Sequence, residues 1–234
     1  FCQHSLPGNL DGPWSGLARG LMALDPCPPV EAIHVLEMSL DRSAVSSAPG
    51  YGSVLATTSF GPPVLQHWCV WLELADHQAP DRWERRWTLA LETALSVWEE
   101  VLPITRVKSP NRAHIQILQR RPPRRRIGSQ WRASNGRSRL QVVEVQRLGQ
   151  WRLEPRVEVL VSPELRASVL EATAVHELGH AFGIWGHSPQ PDDVMAIHQN
   201  QNPVLKLSKR DRVTLNWLYQ RITDFGQLIK TNPK

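Results

Sequence analysis

From residue 64 onward the apolar and polar positions follow two different periods. Val64 to Leu74 alternates, with Trp68, Val70, Leu72 and Leu74 on one side, as a strand does. From Asp81 to Val101 the period lengthens. Trp87, Leu91, Ala94, Leu95, Trp98 and Leu102 form one helical stripe, and Pro103 stops the helix. These tryptophans read as core packing rather than as a ligand platform. Ile104–Val107 and Ala113–Leu118 are short strands, and Leu140–Val145 and Val157–Val161 alternate again. Ser162-Pro163-Glu164 offers an N-cap, a proline at the first helical position and a first-turn carboxylate. This predicts a helix from Pro163 to Phe182. Ser208 caps a last helix carrying Val213, Leu215, Trp217, Leu218 and Tyr219. Between these elements Asn135-Gly136 reads as a turn.

Strands mixed with long helices make this an α/β (α+β) domain, expected over residues 64–225 with a tail at 226–234. Residues 1–63 are broken by Pro and Gly, with Pro26, Pro28 and Pro29 around Cys27 and a linker at Gly61-Pro62-Pro63. They are expected to be an irregular arm, a spacer or a pro-segment. The chain opens on Phe1 rather than Met, as a processed or truncated form does.

Composition adds three points. At 234 residues and 41% hydrophobic, the chain is large enough for a substantial core, and it has no apolar run of membrane-spanning length. Three cysteines, Cys2, Cys27 and Cys69, allow one disulfide or none. Net charge is +5, much of it from Arg120, Arg121, Arg124, Arg125 and Arg126, with Arg132, Arg137 and Arg139 nearby. That cluster reads as a solvated loop or as a contact for acidic substrate, envelope polymer or nucleic acid. No aromatic-interleaved nucleic-acid motif accompanies it, so no specific nucleic acid is expected.

The chemistry concentrates in His176 to His187, which reads His-Glu-Leu-Gly-His-Ala-Phe-Gly-Ile-Trp-Gly-His. Positions i and i+4 share a helix face, so His176 and His180 can point two imidazoles at one Zn²⁺. Glu177 is placed to act as general base on a water, Gly183 can end the helix, and His187 can return as third ligand. Asp192, Asp193 and His198 are lesser candidates for the third position. His4, His34, His67, His77 and His114 show no ligand spacing.

This stretch resembles the metzincin metallopeptidases, and most of all the matrixin branch with its bacterial members. Ala90–Val107 resembles the first helix and following strand of matrixin catalytic domains. Ala113-His114-Ile115-Gln116-Ile117 is similar to the next strand. Pro191-Asp192-Asp193-Val194-Met195 resembles the approach to the methionine turn, and Leu207-Ser208-Lys209-Arg210-Asp211 the start of the final helix. The resemblance covers roughly residues 65 to 222. It implies a twisted, mostly parallel sheet with an antiparallel edge strand, an active-site helix and a C-terminal helix. It also implies one catalytic zinc on His176, His180 and His187, Glu177 as catalytic base, Met195 as hydrophobic floor, and hydrolysis of internal peptide bonds. Substrate would bind as an extended strand along the Leu140–Val145 edge, and the location would be extracytoplasmic or secreted. Two departures stand out. The family's third histidine falls where this chain has Gly186, with Trp185 as the extra residue, and Ala196 stands where an aromatic is usual. The calcium and structural-zinc loops of animal members have no counterpart. Cys27 lacks the family's inhibitory motif, leaving a cysteine switch, a plain thiol or a disulfide partner. A zinc-binding protein that no longer cleaves, or a basic interaction module, are the alternative readings.

Overall fold

The computed structural model describes residues 25–42, 47–74, 79–197 and 202–229. Ten strands are assigned: β1 (Ala32–Leu36), β2 (Asp41–Arg42), β3 (Ala56–Thr57), β4 (Trp68–Leu72), β5 (Ile104–Arg106), β6 (Ile115–Leu118), β7 (Arg125–Ile127), β8 (Gln130–Arg132), β9 (Gly136–Arg147) and β10 (Gln150–Val161). The helices are α1 (Arg82–Glu99), α2 (Ala167–Ala181) and α3 (Lys209–Tyr219). Six strands form one sheet in the order β1-β9-β10-β6-β4-β5. The pairs β10–β6, β6–β4 and β4–β5 are parallel, while β9 is antiparallel to both β10 and β1. The expected α/β architecture, a largely parallel sheet with an antiparallel margin, is what the chain forms.

α1 begins where its sequence says it should. The Asp81 carboxylate accepts from the backbone N–H groups of Trp83 and Glu84, and Glu84 returns to the Asp81 N–H, closing a capping box. Its buried face, including Trp87, Leu91, Leu95 and Trp98, joins the core and packs against α2. Both buried indoles of α1 find a partner. Trp87 Nε1 donates to Val161 O and Trp98 Nε1 to Val175 O, both at 3.1 Å, so α1 is pinned to the end of β10 and to the middle of α2. Trp68 Nε1 donates to the Tyr219 hydroxyl, which donates to Phe182 O, tying β4, α3 and the end of α2 together.

Several local expectations shift. α2 starts at Ala167, with Arg166 as an N-cap that makes no side-chain cap bond, rather than at Pro163. Ser162 is still held in line with the sheet by its N–H bond to Asn135 O, so the helix cannot begin until the chain has left that line. Asn135-Gly136 is not a turn, because Gly136 is the first residue of β9 and pairs with Val161. The turn in the arginine-rich stretch lies at Gly128-Ser129, between β7 and β8. A second turn at Leu148-Gly149, both with positive φ, folds β9 and β10 into one long hairpin.

The sheet margin is the correction that bears most on function. β1 pairs with β9 from Leu36↔Val142 to Ala32↔Gln146. Most of the Leu140–Val145 edge, expected to receive a substrate strand, is thus already covered by the chain's own segment. The outer edge of β9 from Gly136 to Gln141 has no strand partner among the described residues. The stretch before residue 64 also contributes β2 and β3, the buried side chains of Cys27, Tyr51 and Leu55, and a Cys27–Cys69 disulfide to β4. Cys27 is therefore the disulfide partner among its three expected fates, and its sulfur is not at the histidine site. Cys2 lies outside the described residues.

Candidate metal centre

α2 carries His176, Glu177 and His180 on adjacent turns, as the spacing requires. The helix stops at Gly183, whose φ of +105° is a conformation that glycine adopts without the steric cost of a side chain. The chain then doubles back and brings His187 over the helix. Ring centroids of His176 and His180 are 4.9 Å apart, His180 and His187 4.9 Å, and His176 and His187 5.2 Å. One nitrogen from each ring lies within 4.8 Å of the others, a grouping able to hold a metal ion. Asp192 and Asp193 stand outside this group, and His198 lies outside the described residues.

The donor set suits zinc on its own chemistry. His176 Nδ1 lies 2.7 Å from Val194 O, and His180 Nδ1 lies 2.7 Å from Ile184 O. A carbonyl oxygen only accepts, so each Nδ1 carries the proton and each Nε2 keeps its lone pair for a cation. Burial pushes His176 down to about 4 and holds His180 and His187 below the ordinary histidine value. All three rings are therefore neutral at physiological pH, the form that binds metal.

The extra residue before His187 has a place. The Trp185 ring stacks on His180 with centroids 5.6 Å apart, and Trp185 O accepts from the Ala56 N–H at 2.7 Å. Residues before position 64 thus brace the loop that carries the third histidine.

Glu177 is buried beside the rings. Burial pushes its carboxyl up to about 7, against the pull of Ser138 and of Arg137. The Ser138 hydroxyl, on β9, lies 2.8 Å from both Glu177 Oε2 and Glu177 O. Two cavities open on either side of Glu177. One, about 390 Å³, is lined by Asn135, Val169, Thr173, His176, Ile197 and Pro203. The other, about 780 Å³, is lined by Leu40, Arg125, Arg137, His180, Trp185 and His187.

Met195 is fully buried beneath the helix, its sulfur against Gly179 between the two helix histidines. Two carboxylates fix the segment leading to it. Asp193 accepts from the Ser188 and Ser208 hydroxyls and from Arg210, and Asp211 accepts from the Val194 N–H and the Tyr51 hydroxyl. Sequence reasoning missed Ser138 and Tyr51, which meet the site only through long-range packing. Asp211 had a local signal, the Ser208-x-x-Asp211 capping box, which the structure contains.

A family model described as Matrixin matches residues 74–220, more than half of the chain. No curated protein matches it.

Proposed function

Because this chain belongs to the matrixin family of peptidases, we propose that it is a zinc endopeptidase in which His176, His180 and His187 hold the ion and Glu177 is the general base. The observation that carries the reading is the convergence of three neutral imidazoles, two of them oriented by backbone carbonyls, beside a buried carboxylate. Zinc bound there supplies Lewis acidity, polarising a peptide carbonyl and making a water easier to deprotonate. Glu177 takes the water proton on its carboxylate and passes it to the departing amine. Burial of the carboxyl favours its taking up that proton. Ser138 steers the carboxylate, and Met195 packs the helix from below. The open Gly136–Gln141 edge of β9 receives the peptide backbone in extended form, with the two cavities taking side chains on either side of the bond.

Family membership and the Cys27–Cys69 disulfide support an extracytoplasmic, oxidising location. Among the described residues no helix is long and apolar enough to cross a membrane.

The test combines metal analysis with digestion of casein. Wild type should hold close to one zinc per chain and lose activity with a chelator. Glu177→Ala should keep the zinc and fall by about 10²–10⁴-fold in rate. A wild-type protein that binds zinc and digests nothing would make this a silent zinc-binding protein instead.

A further inference from the structure

The arginine-rich stretch divides into two groups by partner. Arg120 lies 3.3 Å from Glu73, Arg121 is paired with Glu164, and Arg139 lies 3.9 Å from Glu158. All three are well exposed, and such pairs are ordinary surface chemistry. Arg125 and Arg137 differ. Both line the 780 Å³ cavity beside Glu177, His180 and His187, and neither has a carboxylate partner among the described residues. The Arg137 guanidinium reaches only a backbone oxygen, Pro123 O at 2.7 Å. Burial, and then the neighbouring charges of Arg125 and Arg139, work against its positive charge, with Glu177 opposing them in part. Among the described residues, the one acidic side chain lining the cavity is Glu177 itself. Glu177 offsets Arg137 in part, but two cations facing one carboxylate still repel each other, and a second carboxylate arriving between them would relieve that repulsion.

We propose that Arg125 and Arg137 form a subsite for an acidic side chain, so that the preferred peptide carries Asp or Glu close to the bond that is cut, on the Trp185 side of Glu177. This rests on reading the cleft as a peptide site and names the class of peptide it selects. A planar guanidinium offers paired N–H donors that match a carboxylate, and a partly enclosed setting weakens salt screening.

The test reads binding rather than turnover. Zinc-loaded, full-length Glu177→Ala protein is titrated with fluorescent peptides of equal length centred on Asp-Glu, Ala-Ala or Lys-Lys, and Kd is taken from anisotropy. The acidic peptide should bind roughly 10-fold or more tighter than the neutral one, and the basic peptide weakest. Adding Arg125→Glu or Arg137→Glu should abolish or invert that order. Arg124→Glu makes the same charge change on the same stretch away from the cavity, and should leave the order intact. Zinc content and circular dichroism establish that each variant is folded, and Arg125→Ala with Arg137→Ala gives a milder pair if either charge reversal is not. Equal affinities for the three peptides would overturn the proposal. So would an acidic preference that ignores both substitutions, or a single-stranded oligonucleotide that displaces the acidic peptide at lower concentration than unlabelled peptide does. Parallel digestion by wild type separates the two readings. Selective binding without cleavage counts against the peptidase alone, and cleavage without acidic selectivity counts against this subsite alone.

Discussion

Gly179 lies between the two helix histidines with no space for a side chain. An added Cβ would fall 2.2 Å from Met195 Sδ and 3.1 Å from Trp98 Cζ2. Helix propensity alone favours Ala over Gly by about 1 kcal/mol, whereas overpacking a core typically costs about 1–3 kcal/mol. The clash should win, so Gly179→Ala is expected to lose about 1 kcal/mol net, read as a lower urea midpoint with an unchanged slope. A stabilised variant would mean that Met195 yields freely and is not a firm floor. At this scale the sequence is informative for His176, Glu177, His180 and His187, because spacing along one helix and one return loop brings them together, and for Met195 through its resemblance to a methionine turn. It is silent on Ser138, which lies 39 residues from Glu177 along the chain and meets it only because β9 is laid over α2. No local pattern marks a serine for such a contact.

At the scale of elements, α1 is legible from its apolar stripe and α3 from its Ser208 cap, and the structure adds a capping box to the start of each. The start of α2 departs from its local signal. Ser162-Pro163-Glu164 has the local chemistry of a helix start, but a sheet hydrogen bond from Ser162 overrides it. The two-residue turn at Leu148-Gly149 carries a weak local signal because Leu148 is an unusual residue for positive φ. α3 supports the metal centre through one residue in particular. The Ser208 hydroxyl accepts from the Asp211 N–H and donates to the buried Asp193 at 2.5 Å. Ser208→Ala should therefore cost more than the usual cap. The cap is worth about 1 kcal/mol and the donor lost to Asp193 about 1–3 kcal/mol, so about 2 kcal/mol or more is expected in chemical denaturation. A loss of only a few tenths would show that Asp193 is held by Ser188 and Arg210 alone.

Across the whole molecule, the stretch before residue 64 is joined to the sheet by contacts that composition could not reveal. Arg147, on β9, is buried against Glu154 on β10, its Nε 3.0 Å from Oε1, and its guanidinium also donates to Pro28 O. His114 Nε2 lies 3.4 Å from the same carboxylate. Burial pushes Glu154 up, but its contacts with His114 and Arg147 outweigh that and hold it below the ordinary value of 4.5. A depressed carboxylate contributes stability that is present above its unfolded value and lost as the pH falls through the folded one. The stability gap between wild type and Glu154→Gln should therefore be large at pH 7, about 3–5 kcal/mol for a broken buried pair, and should narrow once the pH drops below about 4.5. A gap that stays constant into acid would mean that Glu154 acts through packing and not charge.

Cys27 and Cys69 are 42 positions apart and share one covalent bond. A single cut at any peptide link between them cannot set the front of the chain adrift. The two halves would travel as one band on a denaturing gel and part only after a thiol reductant is added. Maturation by clipping in that interval would yield a two-chain enzyme, with β1 still tethered to the body of the molecule.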